Sequence, residues 1–334
     1  MISSQDLNKD KVLGMLWGAV VGDVLGSPHE FRLSTPVSEY TGVVEYTTQV
    51  FSRYHPTRKT VVGQVTDDSE MTITLLTSLV INKGYDKNKT ILAYLEWANS
   101  KTPFLGTNTR SLLYGVKTIK GYQKRYNTVY FLTDPSEYTQ SNGCLMRCSP
   151  LALVLNVEQT VETDCKITNQ SPTCIDACVT YVRALQDLLM NQRVEEVTSR
   201  AIVMTKMDNV RATIDDAVNG HTVRQVDGKN KGWVLHALWC AFRSLIRVKQ
   251  SSYEDTISWV ISLGGDTDTN ACISGAMIGA YLGRDRMLFE PNMLHNITVI
   301  KSCATEDGDI HRPQEYHPRN IDSLVETLFH LEDF

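Results

Sequence analysis

Two ladders of small residues place the strongest constraint on how this chain can fold. A spacing of four residues puts the members of each ladder on one stripe of a helix. Each glycine inside a helix costs about 0.5–1 kcal/mol relative to alanine, so the seven glycines in these ladders need a compensating contact. Without Cβ atoms, two helices can approach more closely than the usual separation of about 8–10 Å, and we predict that the two stripes pack together. The ladders are Gly14, Gly18, Gly22 and Gly26 near the start, and Ala271, Gly275, Gly279 and Gly283 near the end.

Two acidic clusters lie far apart in the sequence, at Thr66-Asp67-Asp68 and at Asp266-Thr267-Asp268-Thr269. Their oxygen atoms, with no His or Cys among them, suit hard cations such as Mg²⁺, Mn²⁺ or Ca²⁺ better than zinc. Four carboxylates exceed what one Mg²⁺ usually takes from protein. We therefore predict one metal site with two ions, roughly 3.5–4 Å apart, that share carboxylates. Packing of the two ladders would also carry Asp23 and Glu30 towards the second cluster.

The same clusters have a simpler interpretation as helix caps. Asp and Thr commonly precede helices, and a single Thr-Asp-Asp would usually be a cap or a turn. The doubled arrangement favours the metal site. For Asp23, which lies inside a glycine-rich helix, a structural hydrogen bond to a loop is the favoured interpretation over metal ligation.

A site with ligands from both halves requires both halves to fold together. We therefore expect a single domain over residues 1–334, although the length alone would allow two. The net charge of −5 argues against a nucleic acid or an anionic membrane as the main partner. Acidic residues on both sides of the apolar run 12–22 argue against a signal peptide, and no stretch reaches the roughly 20 apolar residues that span a bilayer. We expect a soluble, cytoplasmic protein.

The eight cysteines are expected to be reduced thiols in the core, because several fall inside apolar helical stretches. Cys144 and Cys148, like Cys174 and Cys178, are four residues apart, which is compatible with a four-cysteine zinc site. The same spacing also places two sulfur atoms on one helix face for packing, and packing is the favoured interpretation.

Hydrophobic periodicity is overwhelmingly helical and predicts an all-α fold with at most a small β-hairpin. The hairpin is predicted at 43–51 and 59–65, and Tyr126–Thr133 is a short β-prone insert. The segment 284–319 lacks periodicity and contains three prolines, which predicts a long surface loop. Helices are predicted at 10–26, 69–82, 88–100, 108–119, 144–157, 172–191, 194–206, 209–219, 232–248, 252–263, 268–283 and 320–331.

Four motifs, in this order and spacing, resemble those of the ADP-ribosylglycohydrolases, and the resemblance runs almost from end to end. The helix that begins Gly232-Trp233-Val234-Leu235 before the last motif agrees as well. The motifs are Gly22-Asp23-Val24-Leu25-Gly26-Ser27-Pro28-His29-Glu30, Thr66-Asp67-Asp68-Ser69-Glu70-Met71, Asn142-Gly143-Cys144-Leu145-Met146-Arg147 and Gly264-Gly265-Asp266-Thr267-Asp268-Thr269.

The resemblance implies a compact, orthogonal multi-helix fold with a dinuclear Mg²⁺ centre, with Mn²⁺ as an alternative. It implies hydrolysis of the bond between C1″ of ADP-ribose and an acceptor, which is a protein side chain or a small ADP-ribosyl compound. Either Glu30 or Asp67 would accept a proton, and Asn142 and Gly143 would contact the ADP-ribose. The metal ligands implied by position are Thr66, Asp67, Asp68, Asp266, Asp268 and Thr269.

One departure from the family pattern concerns substrate binding. Asn169 follows Thr168, where the family often has His, and an amide can form hydrogen bonds but cannot titrate near neutral pH. The residues at 141 and 144 also differ from the small residues that are common there. These changes put acceptor specificity in question more than activity.

Three other functions are compatible with the same residues. A relative without catalysis would be an ADP-ribose-binding module, but idle carboxylates packed together would repel one another without a cation. A two-metal phosphohydrolase would release AMP rather than ADP-ribose. A metal-free glycosidase would also use two carboxylates, but the threonine partners make it the weaker alternative. The acceptor stays open, and a monomer is the default expectation.

Overall fold

In a computed structural model of the chain, the described residues are 1–3, 5–40, 42–43, 51–52, 55–131, 133–303 and 310–330. These residues are mostly helical, which confirms the predicted all-α class, and their strands form a two-stranded antiparallel hairpin. The strands are β1 (Phe51–Ser52) and β2 (His55–Lys59). The helices are α1 (Lys9–Gly26), α2 (Asp67–Ile81), α3 (Lys87–Ala98), α4 (Thr107–Leu113), α5 (Ile119–Phe131), α6 (Val157–Cys165), α7 (Pro172–Leu189), α8 (Val194–Met204), α9 (Asp208–Asn219), α10 (Val234–Arg247), α11 (Tyr253–Ser262), α12 (Thr267–Leu282), α13 (Arg284–Met287), α14 (Met293–Ser302) and α15 (Ile321–His330).

Local capping explains where several predicted helices begin. Pro172 is the first residue of α7, a position where its missing N–H costs nothing. The Ser252 hydroxyl accepts a hydrogen bond from the backbone N–H of Asp255 at 3.0 Å and caps α11. The Asn8 side chain caps α1 in the same way. The predicted helix starts therefore agree with the structure to within one or two residues at these elements.

The two glycine ladders pack against each other, as predicted, along the full contact between α1 and α12. A Cβ atom added at Gly18 would collide with the carbonyl oxygen of Gly275, and one at Gly279 would collide with that of Gly14. Gly22 faces the backbone of Ala271 in the same manner. Both helices are almost entirely buried. Backbone-to-backbone contact between these two helices holds residues 9–26 against residues 267–282.

The predicted β-prone insert at Tyr126–Thr133 is wrong, because residues 119–131 form α5. Tyr122, Tyr126 and Tyr130 recur every four residues and stack along one face, with ring centroids 5.7 and 4.9 Å apart. The Tyr122 hydroxyl donates a hydrogen bond to the carbonyl of Ile167 at 2.8 Å. Tertiary packing of this tyrosine stripe overrides the β propensity of the individual residues.

The predicted helix at 144–157 is also wrong. Residues Asn142–Cys144 and Ser149–Leu153 form two short 3₁₀ helices instead, and α6 follows only at Val157. Pro150 has no backbone N–H and cannot continue an α-helix from the preceding turn. The apolar residues of this segment are buried nonetheless, so hydrophobic periodicity alone suggested a helix.

The segment 284–319 is not the long surface loop that we predicted. It contains α13, α14 and two 3₁₀ helices, Gln314–Tyr316 and Pro318–Asn320, while residues 304–309 lie outside the described part. Arg312 and His317 are buried. The segment also buries Met287, Met293 and Ile300 in the core, and Arg312 forms an ion pair that is described below.

In the described residues, the hairpin is shifted along the sequence relative to the prediction. Phe51 pairs with Lys59 and Ser52 with His55, whereas most of the first predicted strand, at 44–50, lies outside the described residues. Of the second predicted strand, at 59–65, Lys59 ends β2 and the rest is not a strand. Gly63 lies in a turn there, with a φ of +82°, and packs against the backbone of Val299. None of the helices in the described part of the chain is long and apolar enough to cross a membrane.

Candidate active site

The two acidic clusters meet at the N-termini of α2 and α12. Thr66 and Asp266 hold the N-cap positions of these helices, yet neither side chain makes a capping hydrogen bond. The simple capping interpretation of these residues is therefore not what the structure shows. Both helix dipoles point their positive ends at the clusters, which favours carboxylates there.

Asp23 organises the first cluster from the neighbouring helix α1. Its Oδ2 accepts hydrogen bonds from the backbone N–H groups of Thr66 and Ser69, at 3.0 and 3.2 Å, and from the Ser69 hydroxyl at 2.5 Å. Its Oδ1 accepts a hydrogen bond from the Thr66 hydroxyl at 2.7 Å. Asp23 thus makes the structural hydrogen bonds expected of it and orients the start of α2.

Glycines 264 and 265 bring Glu30 to the second cluster. Their φ angles are +71° and +79°, and a Cβ atom at Gly264 would lie 2.7 Å from the carbonyl oxygen of Arg32. This close approach allows the backbone N–H of Phe31 to donate to the Gly265 carbonyl at 2.6 Å. Only glycine tolerates both the conformation and the contact. The Gly-Gly pair before Asp266 therefore positions the segment that carries Glu30.

The carboxylates form two overlapping groups that share Asp268. One group comprises Asp23, Asp68 and Asp268, and the other comprises Glu30, Asp266 and Asp268. Within each group, one oxygen atom from every residue lies within 4.8 Å of the others. Asp67 lines the same cavity outside these two groups, and so does Thr269.

Repulsion between these carboxylates is strong in the absence of a cation. Burial raises the pKa of Asp67 well above its ordinary value, and the charges of Glu30 and Asp23 raise it further. Burial and the charge of Asp23 act on the pKa of Asp68 in the same direction. The pKa of Asp268 is raised well above its ordinary value by burial and by Glu30. A bound cation would relieve this repulsion.

The residues present fit a site for hard cations. The Oδ1 atom of Asp68 is fully buried and has no hydrogen-bond partner among the described residues. A buried carboxylate oxygen without a donor is costly, and a cation would satisfy it. Oxygen-only donors at this point match the preference of Mg²⁺ and Mn²⁺.

A cavity of about 500 Å³ opens above the carboxylates. This volume lies within the roughly 300–1,000 Å³ of typical small-molecule sites. Asn142 and Gly143 line it, and the Asn142 amide donates a hydrogen bond to Asp266 Oδ2 at 2.7 Å. The remaining lining residues are mostly small and polar, and they include Thr107, Asn108, Thr109, Ser111, Thr139, Ser141 and Gly232.

The structure does not place Asn169 on the cavity surface. Asn169 is fully buried, and its amide nitrogen donates to the Ser141 hydroxyl at 3.1 Å. Its Oδ1 accepts a hydrogen bond from Asn108 at 3.3 Å. Ser141 and Asn108 both line the cavity, so Asn169 supports the wall from behind rather than facing a ligand directly.

Sequence reasoning missed the ion pair that holds the start of α2 from its other side. The Arg312 guanidinium donates to both oxygens of Glu70, at 2.7 and 2.8 Å, and Trp97 Nε1 donates to Glu70 at 2.8 Å. All three side chains are buried. The sequence signal was weak, because Arg312 lies in a segment without periodicity. The cavity residues 104–111 were missed as well, since nothing in their composition marks them.

Comparisons with known proteins agree with this fold. A family model of the ADP-ribosylglycohydrolases matches residues 4–306. A solved structure described as an ADP-ribosylglycohydrolase-related protein complex aligns with a TM-score of 0.70 at 20% identity, over 97% of this chain and 98% of that one. The chain therefore belongs to the ADP-ribosylglycohydrolase family, whose members are hydrolases that act on the glycosidic bonds of ADP-ribose.

Two relatives are similar over most of their length. The ADP-ribosyl-dinitrogen reductase glycohydrolase of Rhodospirillum rubrum is 24% identical over 286 residues, which is 83% of this chain and 87% of that protein. A protein of Acanthamoeba polyphaga mimivirus, named as an ADP-ribosyl glycohydrolase, is 25% identical over 289 residues, which is 79% of this chain and 84% of that protein.

Proposed function

We propose that this chain releases ADP-ribose from an acceptor by hydrolysis at a centre of two Mg²⁺ or Mn²⁺ ions. The observation that carries the proposal is the arrangement of acidic residues at the floor of the cavity. They form two clusters of three carboxylates, and both clusters contain Asp268. When bound, paired cations in such a site hold substrate oxygens in place and lower the pKa of a bound water. The residues suited to hold them are Thr66, Asp67, Asp68, Asp266, Asp268 and Thr269, together with Glu30, while Asp23 orients the start of α2 through its hydrogen bonds.

The residues around the centre orient its ligands and exchange protons. Asn142 fixes the orientation of the Asp266 carboxylate through its hydrogen bond, and Asp23 fixes Thr66. Glu30 is only half buried and faces the cavity, so its carboxylate can exchange a proton with a water or a leaving group there. Asp67 has the same access and is the alternative proton acceptor.

The shape of the cavity suits an ADP-ribosyl group. Phe31 and Phe104 line it and provide the apolar surface that an adenine ring requires. Gly143 leaves room beside the polar turn, where backbone N–H groups can approach a diphosphate. We propose an ADP-ribosylated protein or a small ADP-ribosyl compound as the substrate.

The direct test is ADP-ribose release from arginine-linked, serine-linked and O-acetyl substrates, with Mg²⁺ and with a chelator. We expect release from at least one substrate with Mg²⁺ and none with the chelator. We also expect Glu30→Gln to lower the rate by about 10²–10⁴-fold, the usual contribution of a general acid or base. Glu39→Gln, an exposed carboxylate nine residues away, is the matched control and should leave the rate unchanged.

Two results would overturn the proposal. Release of AMP in place of ADP-ribose would identify a phosphohydrolase. Binding of ADP-ribose without release from any of the three substrates would identify a binding module.

A further inference from the structure

Three buried sulfur atoms lie together behind the wall of the cavity, and a fourth lies beside them. The sulfur atoms of Cys144, Cys165 and Cys178 all lie within 4.8 Å of one another. The Cys174 thiol meets Cys144 at the carbonyl oxygen of Ser141, which the two sulfur atoms contact at 3.6 and 3.8 Å. All four residues are fully buried, and none is in a disulfide.

The four cysteines come from three separate elements. Cys144 ends the 3₁₀ helix Asn142–Cys144, Cys165 ends α6, and Cys174 and Cys178 lie one turn apart on α7. Sequence spacing paired Cys144 with Cys148, whereas the structure brings in Cys165 instead. Packing of thiols as small apolar groups does not by itself require sulfur atoms from three elements to converge.

We propose that these thiols form a second metal site, which binds a thiophilic divalent cation such as Zn²⁺. Structural zinc sites are tetrahedral, with Zn–S distances of about 2.3 Å, which places the sulfur atoms roughly 3.8 Å apart. The sulfur atoms of Cys144, Cys165 and Cys178, which lie within 4.8 Å of one another, reach that geometry with a contraction of at most about 1 Å. The ligands are Cys144, Cys165, Cys178 and, as the fourth, Cys174.

The charge of Arg147 favours thiolates at this point, whereas burial favours thiols. The guanidinium of Arg147 is fully buried beside the cluster, where its charge favours ionisation of Cys144 and Cys165. Burial nevertheless raises the pKa of Cys165 and Cys178 well above the ordinary value. Binding a cation would replace S–H bonds by S–metal bonds and release those protons to solvent, so affinity should fall as the pH falls.

The two sites differ in chemical softness. The carboxylate centre offers only oxygen ligands and suits Mg²⁺, whereas the cysteine cluster offers only sulfur and selects softer ions. A cation at the cluster would join α6 and α7 to the turn that carries Asn142, which in turn holds Asp266. The cysteine cluster would therefore rigidify one wall of the cavity, whatever substrate that cavity accepts.

The test uses the full, reduced chain in excess Mg²⁺, so that the carboxylates are saturated, and adds Zn²⁺ at one equivalent. X-ray absorption at the zinc edge should show a sulfur-only shell at about 2.3 Å. Co²⁺ in place of Zn²⁺ should give the near-ultraviolet charge-transfer absorption of cobalt–thiolate bonds. We expect one such cation per chain.

Variants locate the site. Cys165→Ser and Cys178→Ser should each weaken Zn²⁺ binding by at least about 100-fold, the upper end of what residues that only orient ligands contribute. Cys240→Ser changes a fully buried cysteine of α10 outside the cluster, and it should bind Zn²⁺ with the affinity of the unaltered chain. A shell of oxygen and nitrogen in the unaltered chain would overturn the proposal even where a serine variant fails to fold. An equal loss of Zn²⁺ affinity in Cys240→Ser would overturn the proposal as well.

Discussion

At the scale of single residues, the site depends on polar groups that are denied their usual local partners. Thr66 and Asp266 hold N-cap positions but do not cap, because Asp23 and Asn142 engage their side chains instead. Asp68 has one buried oxygen with no donor among the described residues. Asp23 accepts the hydrogen bond from the Ser69 N–H that an N-cap side chain would usually accept, so a neighbouring helix caps α2.

Asp68→Asn should stabilise the metal-free protein at neutral pH. Burial and the charge of Asp23 raise the pKa of Asp68 in the folded state. The free energy of unfolding is therefore highest below the pKa that Asp68 has in the unfolded chain, and it falls as the pH rises above that pKa. Removing the charge removes this loss. In chelator, the variant should melt at a higher temperature than the parent at pH 7, and the difference should vanish towards pH about 4, the ordinary value for Asp.

In saturating Mg²⁺ the parent should melt at a higher temperature than Asp68→Asn, because the cation stabilises the parent more than the variant. Asp215→Asn removes an exposed carboxylate on α9 and should show neither effect. A parent more stable than Asp68→Asn in chelator at pH 7 would contradict the account.

At the scale of elements, the contact between α1 and α12 sets the position of everything else. Their glycine ladders allow carbonyl oxygens of one helix to approach the Cα atoms of the other. This contact places the ends of α1 and α12 together, and with them Asp23, Glu30 and Asp268.

Gly18→Ala should therefore be severely destabilising. The added methyl group would meet the backbone of Gly275, which cannot move aside as a flexible side chain could. Overpacking usually costs about 1–3 kcal/mol, and a backbone collision should reach the upper end or exceed it. Gly228→Ala, where nothing lies within 4 Å, should stay within about 0.5 kcal/mol of the parent in urea unfolding. Equal stability of the two variants would contradict the proposed role of the ladders.

The elements also show what the sequence can and cannot predict. The ladders and the acidic clusters were predictable, because spacing and residue type bear directly on helix packing and on ligand chemistry. The segment Tyr126–Thr133 was predicted to be β-prone, whereas residues up to 131 belong to α5, because its tyrosine stripe packs by tertiary contacts that β propensity does not describe. The turns around Pro150 and the helices beyond residue 284 depend on partners distant in sequence, which periodicity within a window cannot register.

At the scale of the whole molecule, polar contacts join residues that are far apart in the sequence. Glu70 and Arg312 are 242 residues apart and form a buried, two-pronged ion pair. Asn142 and Asp266 are 124 residues apart and form another contact at the site. That residues 1–334 form a single domain stays a prediction.

Arg312→Met should destabilise the protein by about 3–5 kcal/mol, because it leaves the Glu70 carboxylate buried without its cation. The double variant Glu70→Gln/Arg312→Met should recover part of this loss. Arg211→Met breaks an exposed pair with Asp208 and should cost at most about 1 kcal/mol. Denaturant unfolding measures all three, and a double variant no more stable than Arg312→Met alone would contradict the explanation.

We propose that two hard cations share Asp268 at the meeting point of the acidic clusters. Anomalous diffraction from crystals soaked in Mn²⁺ locates such cations. We expect two peaks roughly 3.5–4 Å apart, with Asp268 between them. A single peak, or peaks away from the Asp23, Asp68 and Glu30 carboxylates, would contradict it.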